Sequence, residues 1–261
     1  MTKKLQNITN KSAPFIAVAV ILLLWLVCCD AELVPAYMLP SPVKVVKAFA
    51  ENFDVMMKQA RVTLQETLYG LLIGVGLAFV IAVIMDRFQW LYKAIYPILV
   101  VTQTIPTIAI APLLVLWMGF GMAPKITLVV ITTFFPIVIG LLTGFESIDK
   151  DAINLMRAMG ANRYQIFRYV KLPNATASFF SGLRISSAYA VVGAVVSEWL
   201  GGFEGLGVYM TRVKKAYAFD KMFAVIVFIS VISLVLMGIV SLLEKVSMPW
   251  VKKHSDKKQN D

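Results

Sequence analysis

Residues 126–144 read ITLVVITTFFPIVIGLLTG, and residues 179–200 read FFSGLRISSAYAVVGAVVSEWL. Each stretch supplies about the 20 mostly apolar residues that a helix needs to cross the roughly 30 Å hydrocarbon core of a bilayer. Between them lies a polar segment, residues 146–174, with the sequence ESIDKDAINLMRAMGANRYQIFRYVKLPN. The pattern predicts two membrane-spanning helices joined by a long polar loop.

The composition of the chain is typical of a protein that crosses the membrane several times. Of its 261 residues, 59% are hydrophobic and 15% are charged, and the mean hydropathy is +0.77. These values lie outside the range of ordinary soluble domains. We therefore expect an all-α polytopic membrane protein.

Apolar runs along the chain predict six transmembrane helices. The first run could be read as a signal peptide, but it ends at Cys28 and Cys29 without a clear cleavage site, which favours a retained span. The runs are residues 14–29, 64–85, 95–117, 126–144, 179–200 and 222–243.

The basic residues predict the orientation of these helices. If the N-terminus lies inside, the inner segments carry fifteen Lys and Arg residues and the outer segments carry nine. Cytoplasmic loops are enriched in Lys and Arg, so both termini are expected in the cytoplasm. The net charge of +10 then reflects topology and contact with anionic membrane lipids, and does not indicate nucleic-acid binding.

This orientation divides the chain into three parts. They are a cytoplasmic N-terminal segment (residues 1–13), one transmembrane domain (residues 14–244) that includes the inner loop (residues 146–174), and a polar cytoplasmic tail (residues 245–261).

The inner loop predicts two short amphipathic helices. Asp149 is a typical residue for a helix start, and Gly160-Ala161-Asn162 favours a break between the helices. Leu172-Pro173 is expected to end the second helix, because a residue before proline avoids helical geometry. From these residues alone, two interpretations stay open: the helices dock onto a partner protein, or they lie at the lipid interface.

The spacing of Gly160, Val170 and Leu172-Pro173 resembles the cytoplasmic loop signature of ABC-importer permeases. Two positions depart from that signature. Asn154-Leu155-Met156 stands where the family has Glu-Ala-Ala, and Val170 stands where it has Ile. The Gly and Leu-Pro geometry is kept.

The resemblance extends over nearly the whole chain. It includes Met38-Leu39-Pro40-Ser41-Pro42, Trp117-Met118-Gly119-Phe120-Gly121 and Glu198-Trp199-Leu200-Gly201-Gly202. These segments are similar to the nitrate/sulfonate/taurine-type branch of the permeases. Within it, residues 192–202 are most similar to permeases for the pyrimidine precursor of thiamine.

The resemblance implies a type I ABC-importer permease fold in the bacterial inner membrane. It also implies that transport needs several different protein chains. A cytoplasmic ATPase would dock on the short helix after Gly160, an extracytoplasmic binding protein would deliver the solute, and a second permease copy would complete a homodimer. The implied docking residues are Gly160, Ala161, Asn162, Arg163, Tyr164, Gln165, Ile166, Phe167, Arg168, Val170, Leu172 and Pro173.

ATP chemistry is expected outside this chain. No Gly-x-x-x-x-Gly-Lys-Ser/Thr sequence occurs in it, so ATP and Mg²⁺ would be used by the partner ATPase. Neither catalytic residues, nor metal ligands, nor a bound cofactor is predicted here, and the chain is not expected to be an enzyme.

Polar residues inside the apolar runs are candidates for the translocation path. Gln103, Thr104 and Pro106 interrupt the third run, where an amide beside a helix breaker could face a cavity. The alternative is that Thr104 bonds its own backbone and that Gln103 bonds a neighbouring helix. Glu198 ends the fifth run, where the alternative to a functional role is an interfacial position beside Trp199. For a functional role we favour a gate or mouth position over a deep binding site.

Two further residue patterns concern packing. Arg184 is expected to extend toward the lipid headgroups. Gly70, Gly74 and Gly76 contain a small-xxx-small pattern that is expected to let helices approach closely.

Several substrates and a second class of function stay open. A pyrimidine precursor of thiamine is the first choice, and riboflavin, nitrate, sulfonate and taurine are the alternatives. A stand-alone secondary transporter would also be compatible with six spans. Such a transporter needs buried ionisable groups, and beyond Glu198 we expect few of them inside the spans.

Overall fold

The computed structural model describes residues 2–35 and 38–248, and every regular element in these ranges is helical. Residues 249–261, most of the predicted tail, lie outside the described residues. In chain order the elements are α1 (Thr2–Asp30), α2 (Pro42–Glu51), α3 (Phe53–Arg87), α4 (Gln89–Thr102), α5 (Thr107–Met118), α6 (Met122–Glu146), α7 (Lys150–Ala158), α8 (Arg163–Ile166), a π-helical turn (Phe167–Lys171), α9 (Leu172–Gly201), α10 (Leu206–Lys215) and α11 (Phe219–Ser247).

Four helical stretches in the described part of the chain are long and apolar enough to cross a membrane. They are α3, α6, the continuous stretch Arg163–Gly201 and α11. Helices α4 and α5 meet the same criterion only as a pair, which bends by 101° and would be a fifth span. The apolar part of α1, Ile16–Asp30, is shorter. The all-α membrane fold is confirmed, whereas six spans and cytoplasmic termini stay predictions.

The second helix of the inner loop does not end at Leu172-Pro173, and that prediction is wrong. The chain stays helical from Arg163 to Gly201, with a π-helical turn directly before Leu172. In this turn the Leu172 N–H donates to the carbonyl oxygen of Phe167, five residues back. Pro173 has no N–H to donate, and the wider turn leaves room for its ring, so the helix continues through the proline.

The larger of two compact units comprises Gln59–Val208 and Ile229–Asp261. Its core is the packing of α6 against α9, where Val129, Ile137 and Ala190 are buried. A Cβ atom added to Gly144 would lie 2.5 Å from Ala175 Cα, and one added to Gly193 would lie 2.9 Å from Thr132 Oγ1. Since later residues of α6 meet earlier residues of α9, the two helices run antiparallel and nearly backbone to backbone.

The expected close approach is present at Gly70 and Gly74 but not at Gly76, where an added Cβ would meet nothing within 4 Å in the described chain beyond its own helix neighbours. An added Cβ would lie 2.5 Å from Val129 Cβ at Gly70 and 2.5 Å from Thr133 Oγ1 at Gly74. Helix α3 therefore packs on the face of α6 through its glycines, as small residues allow in membrane helices.

Replacing Gly140 by alanine is expected to destabilise the fold, whereas Gly76→Ala is not. At Gly140 the new methyl group would lie 2.6 Å from the Ser178 carbonyl oxygen, so the backbones must separate at a cost of about 1–3 kcal/mol. At Gly76 no heavy atom of the described chain lies within 4 Å, and alanine should stabilise the helix by roughly 0.4–1 kcal/mol. Thermal unfolding of both variants in detergent checks this; equal midpoints would contradict the packing.

The smaller unit comprises Met1–Lys58 and Tyr209–Phe228. Ser41 caps the start of α2, whose Val45 and Ala48 are buried. The Phe49 ring lies 5.4 Å from the Phe228 ring, measured between centroids. The ring centroids of Trp25 in α1 and Phe223 are 5.8 Å apart. Aromatic contacts therefore join α1, α2 and the start of α11.

Candidate functional site

The inner loop is an ordered helical hairpin whose turn is set by capping residues. Asp149 caps α7 by accepting a hydrogen bond of 2.9 Å from the Asp151 N–H. Gly160 then adopts φ +81°, a left-handed conformation that glycine takes without strain. Asn162 and Gln165 form a capping box at the start of α8, with hydrogen bonds of 2.9 and 2.7 Å. The predicted break at Gly160-Ala161-Asn162 is therefore present.

Four large side chains of this hairpin are exposed, and we call them the inner patch. Leu155, Met159, Tyr164 and Tyr169 are 63%, 74%, 72% and 69% exposed. No residue of α7 is buried, whereas Ile166 of α8 is buried and anchors the hairpin. Several exposed apolar and aromatic side chains within one hairpin are typical of a protein contact.

The docking residues that the resemblance implies surround this patch. Ile166 is buried, and the partly buried ones are Ala161, Phe167, Val170 and Leu172; the exposed ones are Gly160, Asn162, Arg163, Tyr164, Gln165, Arg168 and Pro173. Their role in docking stays a prediction. Leu155, Met159 and Tyr169 were not predicted, although Leu155 and Met159, the residue that follows α7, lie four positions apart and so on one side of that helix.

Three contacts connect the base of the hairpin to the spanning helices. Lys171 Nζ lies 2.6 Å from Asp86 Oδ1 at the end of α3. The Phe167 ring lies 5.6 Å from the Phe145 ring of α6. Asn174 Nδ2 donates to the Gly144 carbonyl oxygen at 3.0 Å and to Ser147 Oγ at 2.9 Å. A force on the hairpin would therefore reach α3, α6 and α9 directly.

Removing the Lys171–Asp86 ion pair is expected to weaken the connection between the hairpin and α3. Both side chains are partly exposed, so Lys171→Ala should cost about 1 kcal/mol or less in stability. We expect instead a several-fold loss of transport per ATP hydrolysed. The reversed pair Asp86→Lys/Lys171→Asp should restore much of this ratio, and an unchanged ratio in Lys171→Ala would contradict the expectation.

The break between α4 and α5 forms one wall of a cavity of about 340 Å³. Gln103 and Pro106 line it, as do Thr132 of α6 and Tyr189 of α9. The other lining residues are Thr102, Ile105, Thr107, Ile110, Ile131, Val192 and Gly193. None of the described residues on this wall carries a charge. The sequence indicated that an amide beside a helix breaker could face a cavity, and Gln103 and Pro106 do line one.

Thr104 differs from its neighbours. Its hydroxyl donates to the Val101 carbonyl oxygen at 2.8 Å, and it is not among the residues that line the cavity. This geometry agrees with the alternative in which Thr104 satisfies its own backbone. A role of Gln103, Thr104 or Pro106 in translocation stays a prediction.

Glu198 is buried, with only 1% of its surface exposed. Its Oε1 accepts a hydrogen bond of 2.7 Å from Thr63 Oγ1, and its Oε2 accepts one of 2.6 Å from the Gly207 N–H. The Leu206 N–H donates to Thr63 Oγ1 at 2.9 Å. Glu198 and Thr63 therefore hold the start of α10 against α3 and α9.

The surroundings of the Glu198 carboxylate help to choose between the positions considered for it from the sequence. Gly205 has φ +121°, and the Glu198 carboxylate occupies the space that a side chain there would fill. The carboxylate thus faces the backbone of the connection between α9 and α10, which argues against the interfacial alternative. A part in gating stays a prediction.

Beside Glu198 lies an ion pair that the sequence did not predict. Lys125 Nζ of α6 lies 2.6 Å from Glu66 Oε1 of α3, and both side chains are buried. The expectation of few ionisable groups beyond Glu198 was therefore wrong. The missed signal is that Glu66 and Lys125 are opposite charges near the positions at which two apolar runs begin, residues 64 and 126, where hydropathy averaging hides them.

Arg184 also differs from its prediction. Its guanidinium pairs with the Glu244 carboxylate of α11 instead of extending alone toward the headgroups. Inside a bilayer an opposite charge on a neighbouring helix is a favourable partner for such a group.

Comparisons with known proteins agree with this geometry. A model of the family described as binding-protein-dependent transport system inner membrane component matches residues 70–246. The formylaminopyrimidine transport permease protein ThiX of Halalkalibacterium halodurans is 35% identical over 221 residues, which cover 83% of this chain and 87% of ThiX. The riboflavin transport system permease protein RibX of Chloroflexus aurantiacus is 30% identical over 256 residues, 96% of either chain.

A solved structure supports the fold. A structure of inward-facing conformations of the MetNI methionine ABC transporter superposes with a TM-score of 0.65 at 19% identity, over 73% of this chain and 95% of that chain. The expected type I importer permease fold is confirmed.

Proposed function

The chain belongs to the family of binding-protein-dependent transport system inner membrane components, and we propose that it transports a pyrimidine precursor of thiamine. It is the permease subunit of an ABC importer and a multi-pass protein of the inner membrane. In such importers ATP hydrolysis belongs to a separate subunit, and a binding protein delivers the solute. The substrate, the docking residues and the homodimer belong to the proposal.

The inner patch is the observation that carries the proposed coupling. In the proposal, the ATPase docks on Leu155, Met159, Tyr164 and Tyr169, with ATP and Mg²⁺ bound by the ATPase. The hairpin continues into α9 without a break and is bonded to α3 and α6. Closure of two ATPases would then rock the spanning helices between inward-open and outward-open states, as alternating access requires.

Two observations support a pyrimidine as the substrate. First, the relative at 35% identity is a formylaminopyrimidine permease. Second, the cavity at the α4–α5 break has a mostly apolar wall whose few polar groups are uncharged. An uncharged wall suits a neutral heterocycle better than nitrate, sulfonate or taurine, whose anionic groups need a charged or strongly donating partner when they leave water.

Riboflavin is the second candidate substrate, because it is neutral in the same way and RibX is 30% identical. A stand-alone secondary transporter is a weaker alternative. The buried charges Glu66, Lys125 and Glu198 are bonded to neighbouring helices and to the connection before α10, which assigns them a role in holding helices together.

Uptake into proteoliposomes tests the proposed function. We expect the permease, reconstituted with its ATPase and binding protein, to accumulate a labelled formylaminopyrimidine only when ATP is inside. Excess unlabelled pyrimidine should compete, and nitrate or taurine should not. ATP-dependent uptake of riboflavin alone would replace the substrate, and uptake driven by an ion gradient without ATP would contradict the importer.

A further inference from the structure

We infer that the cavity at the α4–α5 break recognises a neutral nitrogen-containing heteroaromatic ring through Tyr189 and Gln103. The inference rests on the proposed function, since it assigns the place where the permease itself contacts its solute. It is carried by the volume of the cavity, by the absence of charge on its described wall, and by the polar side chains of that wall that form no hydrogen bond within the described chain.

The polar residues of the wall fall into two groups. Thr102 Oγ1 donates to the Leu99 carbonyl oxygen at 2.7 Å, and Thr132 Oγ1 donates to the Val129 carbonyl oxygen at 2.9 Å. In the described part of the chain, the side chains of Gln103, Thr107 and Tyr189 form no such hydrogen bond, although all three line the cavity. A free amide, a free hydroxyl and a free phenol therefore remain for a ligand.

The chemistry of Gln103 selects a ligand edge with a donor beside an acceptor. A glutamine amide offers one N–H₂ donor and one carbonyl acceptor side by side. This pair matches a ring nitrogen next to an exocyclic amine, in the same way that glutamine reads adenine with two hydrogen bonds. An aminopyrimidine has such an edge, whereas an inorganic anion has only acceptors.

Tyr189 supplies a flat surface for the ring of the ligand. Its side chain is half exposed and belongs to a stretch of α9 whose neighbours Ser187, Ala188 and Ala190 are small. Aromatic side chains bind heterocyclic bases by stacking, which tolerates different ring substituents. Ile110, Ile131 and Val192 add apolar contacts, so the cavity has the mostly apolar wall with a few placed polar groups that small-molecule sites share.

The cavity volume is compatible with this class of ligand. About 340 Å³ lies at the lower end of the range for small-molecule sites. The break between α4 and α5 places Thr102, Gln103, Ile105, Pro106 and Thr107 at this wall. Membrane transporters use broken helices in this way to expose polar groups to a solute.

Equilibrium binding to the permease–ATPase complex in nanodiscs, without the binding protein, tests the inference. The probes are a labelled formylaminopyrimidine and, in a separate arm, riboflavin. Tyr189→Ala and Gln103→Leu are each expected to weaken binding roughly ten-fold or more, because stacking and paired hydrogen bonds are lost. Tyr189→Phe keeps the ring and should stay within about three-fold.

Tyr69→Ala and Gln65→Leu are matched controls. Both residues are exposed on α3 and absent from the cavity wall. The two control variants should therefore bind the probe with the affinity of the unaltered protein. ATP hydrolysis by each complex is measured in parallel. A variant that binds less probe but still hydrolyses ATP has lost the site and not the assembly, whereas an unaltered permease that yields no ATP-hydrolysing complex would overturn the proposed function.

The outcomes separate the possibilities. Riboflavin binding that depends on Tyr189 and Gln103, without pyrimidine binding, would support the site and replace the proposed substrate. Unchanged affinity in both Tyr189→Ala and Gln103→Leu would overturn the inference. The inference would also be overturned if neither probe bound saturably to a complex that still hydrolyses ATP.

Discussion

Lys125→Met is expected to lower the free energy of unfolding by about 3–5 kcal/mol, because it leaves the Glu66 carboxylate buried without its counter-charge. Lys125 Nζ lies 2.6 Å from Glu66 Oε1, and Glu66 Oε2 already has no hydrogen-bond partner in the described chain. The Glu66 side chain is only 1% exposed, so water cannot replace the ammonium group. Chemical unfolding in mild detergent, followed by circular dichroism, measures the loss.

The double variant Glu66→Met/Lys125→Met should recover most of that stability, since neither charge of this pair is then left buried without its partner. Lys47→Met is the matched control. Its ion pair with Glu51 lies on an exposed face at 3.9 Å and should contribute at most about 1 kcal/mol. If Lys125→Met were as stable as Lys47→Met, the buried pair would not hold α3 to α6.

The second large effect is expected at the inner patch. Tyr164→Asp should abolish productive contact with the ATPase while the spanning helices stay folded, because the Tyr164 side chain is 72% exposed. Aromatic anchors at protein interfaces commonly contribute about 2 kcal/mol or more, and a buried unpaired carboxylate adds a further penalty. We expect at least a thirty-fold weaker affinity for the ATPase, measured by titration of the purified subunit.

Tyr217→Asp is the control for this variant, since Tyr217 is 80% exposed and lies outside the inner loop. It should bind the ATPase normally. Substitution is preferable to deletion of residues 161–168, because the stretch Arg163–Gly201 is one continuous helix and a deletion would rotate α9. Full ATPase affinity in Tyr164→Asp would mean that the inner loop is an interfacial element.

The sequence predicted features that depend on local chemistry. Uninterrupted apolar runs predict spanning helices, and Gly160 followed by Asn162 predicts the turn of the hairpin. Pro106 predicts the interruption of the third run, because proline has no N–H to continue a helix, whereas the sequence left open whether Gln103 faces a cavity or bonds a neighbouring helix. Each of these inferences needs only residues that are close in the chain.

Features that depend on contacts between distant residues were not predicted. Lys125 and Glu66 are 59 positions apart, so their pairing follows from the packing of α6 on α3. Arg184 and Glu244 are 60 positions apart, and a neighbouring carboxylate replaces the expected headgroups. The helix through Pro173 depends on a π-helical turn, which local preferences at Leu172 do not indicate.

The central claim is that the inner patch docks a separate ATPase, and co-purification tests it most directly. The unaltered protein, isolated in mild detergent, should bring down a P-loop ATPase that a Leu155→Asp/Tyr164→Asp variant of equal yield does not. A preparation of the unaltered protein that lacks any ATPase, yet transports solute in vesicles, would contradict the account.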